Sequence, residues 1–213
     1  MAYSFPEGSR FYFSTTFASA ITVTALTNAN PAVATATAHG LSNADELLTA
    51  SGWDDATDTV WRASGIAANT FELSGLDSTN TSFYPTGTGT GTVRKVTNWV
   101  EMLQVLNIAT SGGDARYTQI EPLSRRNSIS VPTGFNPSSL TFTLGWDPPL
   151  AFYQTLVGVS RTLTKVAVKI VISGGGTAYA YGQIAVSEQP SMNRNQANTV
   201  TAALTALGRL ITY

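Results

Sequence analysis

Between positions 163 and 172 the chain alternates without a break. Thr164, Val166, Val168, Ile170 and Ile172 fall on one parity; Leu163, Lys165, Ala167, Lys169 and Val171 fall on the other. Side chains repeat every two residues on the faces of a β-strand and every 3.6 on a helix, so this spacing predicts a strand. One face is wholly β-branched and suits a packed core. The other carries two lysines, which could not be buried without partners. Ser173-Gly174-Gly175-Gly176 then turns the chain, and Tyr179–Ser187 returns as the second arm of a hairpin. After a polar loop at 188–196, Asn198–Leu207 alternates again, and Gly208-Arg209 precede a last strand over 210–213. Composition points the same way: 31 threonines stand against three lysines, Lys95, Lys165 and Lys169. With 43% hydrophobic and only 12% charged residues, the 213-residue chain is not a disordered one and can bury one or two cores.

Several function classes drop out early. There is no cysteine, which removes disulfides, thiol catalysis and cysteine metal sites. No apolar run approaches the length of a membrane-spanning helix, and no membrane insertion is expected. Ala18-Ser19-Ala20 has the small-residue look of a signal cleavage site, but Pro6, Glu7, Gly8 and Arg10 interrupt the segment before it. The chain is therefore expected to act without a leader, in the cytosol. A net charge of −1 lacks the basic footprint of a dedicated nucleic-acid binder. So few charges also imply a surface covered by other subunits.

The chain changes texture twice. Residues 1–19 are aromatic-rich, with Tyr3, Phe5, Phe11, Tyr12, Phe13 and Phe17. From 20 to about 97 it is rich in Ala, Thr, Asn, Gly and Asp, and three basic side chains face seven acidic ones. Charge and composition shift together, which predicts an all-β module over 20–96 inserted into a domain made of 1–19 and 97–213. Short strands near 21–24, 33–36, 46–49, 60–63 and 70–73 recur with the rhythm of such a module. The stretch 85–92, Pro-Thr-Gly-Thr-Gly-Thr-Gly-Thr, reads as a solvated, flexible join. In the second part, alternation over 99–109 is followed by a polar stretch at 110–127, expected to be a long loop without regular structure. Strands are expected at about 127–131 and 139–145. Asp147-Pro148 reads as a helix start, with Asp as cap and Pro at the first position, for one helix of about 12 residues ending near Arg161.

Candidate chemistry is sparse. His39 is the single histidine and reads as a turn residue. Asp54, Asp55 and Asp58 lack the glycine and glutamate positions of a calcium loop. There is no carboxylate pair or nucleophile elbow, so no catalytic, metal or cofactor residues are expected and the chain is not read as an enzyme. Trp53, Trp61, Trp99 and Trp146 read as core rather than as sugar platforms.

Two resemblances give this β-protein a context. Thr27-Asn28-Ala29-Asn30-Pro31-Ala32-Val33, Thr37-Ala38-His39-Gly40-Leu41 and Thr70-Phe71-Glu72-Leu73-Ser74-Gly75 resemble a β-module of phage virion proteins. That module is similar to the first catalytic cysteine half-domain of ubiquitin-activating enzymes, without their chemistry. The flanks resemble the tail-tube (major tail) proteins of long-tailed bacteriophages. The segments carrying this are Gly8–Ser14, Ser111–Tyr117, Val131–Pro137, Ser160–Ala167 and Thr201–Arg209. The resemblance implies a β-sandwich or barrel with one flanking helix. It implies stacked homo-hexameric rings, other tail proteins at the tube ends, and double-stranded DNA passing without specific binding. It places the chain in the virion tail, assembled in the host cytoplasm. Scarce lysine agrees with sheet edges left open for assembly and with a channel that does not grip phosphate. Asp114, Arg116, Glu121, Arg125 and Arg126 are then expected at the contact between rings. Lys165 and Lys169 are expected to face a neighbouring subunit or the lumen. The module is expected outside the tube. The rival reading is a receptor- or glycan-binding or capsid-decorating β-protein.

Overall fold

The computed structural model describes residues 7–213; Tyr3 and Phe5 of the aromatic-rich start lie outside them. Strand β1 (Arg10–Ser14) belongs to one sheet. The chain then builds a second sheet from β2 (Thr16–Phe17), β3 (Ile21–Val23), β4 (Ala25–Leu26), β5 (Ala32–Thr35), β6 (Glu46–Ser51), β7 (Thr59–Ser64), β8 (Thr70–Ser74) and β9 (Gly91–Thr97). It returns to the first sheet with β10 (Val100–Glu101) and β11 (Val105–Ser111), and sends out a separate two-stranded hairpin, β12 (Ala115–Ile120) and β13 (Ile129–Phe135). It finishes the first sheet with β14 (Ser139–Gly145), β15 (Lys165–Val171), β16 (Thr177–Val186), β17 (Thr199–Ala206) and β18 (Ile211–Thr212). One helix, α1 (Ala151–Thr162), lies between β14 and β15. The protein is mainly β, as its alternation predicts.

The first sheet runs β10-β1-β15-β16-β17-β14-β11, with β18 added on β16. It bends over on itself: Phe11 of β1 meets the ring of Phe142 of β14 at 6.1 Å, although three strands separate them along the sheet. The enclosed core holds Phe13, Phe142, Leu144, Val166, Val168, Ile170, Ile184 and Leu204. Helix α1 closes it with Phe152, Tyr153, Leu156 and Val159. The face Val166, Val168, Ile170 is thus the inward one, as the period-two pattern predicts.

The helix starts later than its sequence signal. Leu150 is the residue before the first turn, in extended conformation (ψ 127°), and no side chain caps the helix. The cause is the doublet Pro148-Pro149. A residue before proline is pushed out of the α region, so Pro148 cannot open the helix. Asp147 instead accepts a hydrogen bond from Gln104 at 3.4 Å and, through its backbone carbonyl, one from Leu150 N–H.

The second sheet encloses its own core of Trp53, Trp61, Phe71, Leu47, Leu73 and Leu76. Here the stretch 85–92 differs from expectation. Trp53 Nε1 donates to Pro85 O at 2.9 Å and to Thr88 Oγ1 at 3.2 Å, and residues from Gly91 onward form β9. It is an ordered loop wrapped over a buried tryptophan, and the chain leaves this sheet at Thr97–Asn98 instead. Its glycines serve close approach. A Cβ on Gly89 would lie 2.7 Å from the Trp53 ring, and one on Gly91 would lie 2.0 Å from Ala50 O.

Candidate assembly surface

The polar stretch 110–127 is not a structureless loop. It contains the end of β11, all of β12 and the turn leading to β13, so that 115–135 forms a hairpin arm that, among the described residues, pairs only with itself. The six residues of β12 extend about 20 Å at the usual strand rise. Charge obscured this strand, because Arg116 lies within it and Glu121, Arg125 and Arg126 follow in the turn. The readable signal was Thr118-Gln119-Ile120 against Ile129-Ser130-Val131, two short alternating runs. Register sets Ile120 opposite Ile129 and Thr118 opposite Val131, all four on one face. Gly112 and Gly113 form the root, with φ of +80° and +78°. A Cβ on Gly112 would lie 2.0 Å from Pro137 O, so the root admits no side chain there.

The structure divides the five charged candidates into two groups. Asp114 and Arg116 lie at the root, where the Asp114 carbonyl accepts from Asn136 N–H at 2.9 Å. Glu121, Arg125 and Arg126 lie at the turn, where Arg125 N–H closes onto Pro122 O at 3.0 Å. All five side chains are exposed, and among the described residues none makes an ion pair within the chain. Sequence reading missed the apolar content of this arm: Tyr117, Ile120, Leu123 and Phe135 are exposed, Leu123 fully. Isolated hairpins are marginal in water, and contiguous exposed apolar surface marks contact sites.

Lys165 and Lys169 part company. Lys165 is exposed, its ammonium 6.0 Å from the Tyr181 ring centre. Lys169 does not face outward: the chain's own second sheet covers it. Its ammonium is 3.2 Å from Glu46 Oε1 of β6 and stacks 4.5 Å from the Trp99 ring centre. Tyr179 OH donates to Glu46 Oε1 at 2.7 Å, and Trp99 Nε1–H donates to Glu46 Oε2. Arg62 of β7 donates to Tyr179 OH through Nη2 at 2.8 Å and Nε at 3.0 Å. Tyr213 OH receives Arg62 N–H at 2.8 Å and donates to Ser74 O at 2.8 Å. Leu48, Val60, Val96, Ala167, Tyr179 and Tyr181 pack around this cluster. Burial first, then the bond to the Glu46 carboxylate, pushes the Tyr179 phenol above its ordinary range; burial also raises Tyr213. These tyrosines act as neutral hydrogen-bonding struts between the sheets.

The remaining candidates have structural partners. His39 is buried against Phe71, accepts from Leu41 N–H through Nδ1 at 3.1 Å, and so donates through Nε2 to Ala67 O at 2.9 Å. Asp54 and Asp55 begin a short 3-10 turn, and no acidic or histidine cluster able to hold a metal occurs among the described residues. Trp53 and Trp61 are buried, while Trp99 and Trp146 are half-buried. No helix is long and apolar enough to cross a membrane among the described residues.

No curated protein matches the chain. The resemblance of residues 20–95 to the half-domain of ubiquitin-activating enzymes rests on its sequence motifs. A family model for phage tail tube protein (TTP) matches residues 51–213, which take in the arm, the helix and strands of both sheets. With its mainly β, single-helix architecture and more than half of its length matched, the chain belongs to the phage tail tube protein family.

Proposed function

We propose that this chain polymerises as stacked hexameric rings into the tail tube, the conduit through which the phage genome enters the host. Membership of the tail tube family carries the reading. The arm supports it, since an open-ended stack needs a protruding contact that the subunit itself leaves unpartnered. Asp114, Arg116, Glu121, Arg125 and Arg126 contact the next ring. Lys165 remains the lysine free to meet a neighbour or the lumen. The second sheet, approximately residues 20–96, lies outside the tube, because a module of that bulk would obstruct a passage sized for duplex DNA. DNA passes without specific binding, consistent with only 12 lysines and arginines in 213 residues. Other tail proteins close the tube ends, and assembly takes place in the host cytoplasm. The role is structural, not catalytic.

The double substitution Arg125→Glu, Arg126→Glu tests the arm. Single rings should form, and tube length seen by negative-stain microscopy should collapse to one or two rings. Tubes of normal length from this variant would remove the charged arm tip from the ring-to-ring contact.

A further inference from the structure

The two sheets keep separate cores. Among the described residues, none from 20–96 enters the core of the first sheet, and of the buried residues outside 20–96 only Ile211 joins the core of the second. What the second sheet does bury is an outer face of the first. Register sets Tyr12, Lys169 and Tyr179 in one row across β1, β15 and β16, and sets Ala167 beside Tyr181 in the next. Phe17 and Trp99 pack onto the same patch. Leu48 of β6, Val60 of β7 and Val96 of β9 cover it, and Tyr179 and Tyr181 are buried. The surface shown in its place is of another kind. β3 pairs with β9 and, past Thr24, β4 pairs with β5, so that β9, β6, β7, β8 and β5 are joined into a closed barrel that leaves no long strand edge free among the described residues. Within 20–96 Phe83 is the one large apolar side chain exposed; the others among the described residues lie in 97–213.

We infer that the second sheet is a built-in cover: it occupies, within each subunit, a face on which copies from a neighbouring tube would otherwise add sideways. The inference rests on the polymerisation proposed above and gives a role to the part of the chain that stacking does not use. A tube grows by contacts within its rings and along its axis. Any further sticky face on its outside would join finished tubes into bundles. A patch of Tyr, Trp and Phe on a sheet has the composition of an interface core, and left bare it would be such a face. The first sheet does not need the second to fill its core, so covering that patch is what the second sheet adds to it. A closed barrel then offers the next tube neither a strand edge to pair with nor a broad apolar patch to pack on.

The full-length chain carrying Leu48→Glu and Val60→Glu tests this. Both side chains belong to the seam and to neither core, so the change opens the seam and spares the two cores. Nitration of Tyr179 and Tyr181, mapped by mass spectrometry, should rise about tenfold as the seam opens. Negative-stain images should show tubes of normal length lying side by side in bundles. Adding Tyr179→Thr and Tyr181→Thr, which keeps β-forming residues in the strand, should disperse the bundles. Leu48→Ser with Val60→Ser is a gentler pair, read in the same way if the first does not fold. Dispersed tubes from the opened chain would overturn the cover. So would nitration equal to wild type, or bundles that survive Tyr179→Thr and Tyr181→Thr. A folded variant that no longer builds tubes would overturn it too, because the second sheet would then be part of the tube contact. Absence of rings and tubes from the wild-type chain would instead remove the proposed polymerisation, and this inference with it.

Discussion

Val168→Asp leaves the subunit unfolded or insoluble. Val168 is fully buried at the centre of β15, between Phe13 of β1 and Ala180 of β16, which are themselves buried. Truncating a buried aliphatic side chain costs about 1–3 kcal/mol. Placing a carboxyl there without a hydrogen-bond partner adds roughly 2–7 kcal/mol. Their sum consumes most of a typical domain's stability of about 5–15 kcal/mol. The companion change Lys165→Glu, three positions away and exposed, should move the unfolding midpoint little, by at most about 1 kcal/mol from the lost ring contact. Chemical denaturation followed by tryptophan fluorescence distinguishes the two. Wild-type stability in Val168→Asp would mean that the strand register is displaced by one residue.

The second large effect is expected at Glu46. Its carboxylate is the shared acceptor for Lys169, Tyr179 and Trp99. Glu46→Ala leaves a mostly buried ammonium, a phenol and an indole N–H without their partner. Breaking one half of a buried pair costs about 3–5 kcal/mol; the residual solvent contact of Lys169 reduces this to about 2–4 kcal/mol. Replacing both ions, Glu46→Leu with Lys169→Met, should recover the part that the unpaired ammonium costs, while the Tyr179 phenol and the Trp99 indole N–H stay without their acceptor. Denaturation curves for the three variants provide the check. An unchanged midpoint in Glu46→Ala would show that the cluster does not hold the two sheets together.

These cases also separate what sequence order encodes locally from what the fold alone creates. The inward face of β15 was legible because period-two alternation of β-branched residues is a local signal. The destination of Lys169 was not: its partner lies 123 residues away, and neither residue's neighbours point to the other. An uncovered lysine face and one covered by the same chain have identical sequence patterns. The stretch 85–92 misled in another way. Glycines signal conformational freedom when nothing approaches them, but Gly89 and Gly91 are small because Trp53 and Ala50 occupy the space a Cβ would need. Two prolines in a row defeated the helix-start rule, since Pro149 restricts Pro148 before the helix can begin. In the arm, reading 110–127 as a polar loop hid one strand, β12, whose apolar residues are exposed within the subunit; its partner β13 overlaps the strand expected at about 127–131.

Imaging of the purified full-length chain by electron microscopy over a range of concentrations tests the central claim most directly. The account predicts rings with six-fold end views that stack into tubes of constant diameter and variable length. Particles that remain monomeric, or that stop at compact closed oligomers such as trimers at every concentration, would contradict it.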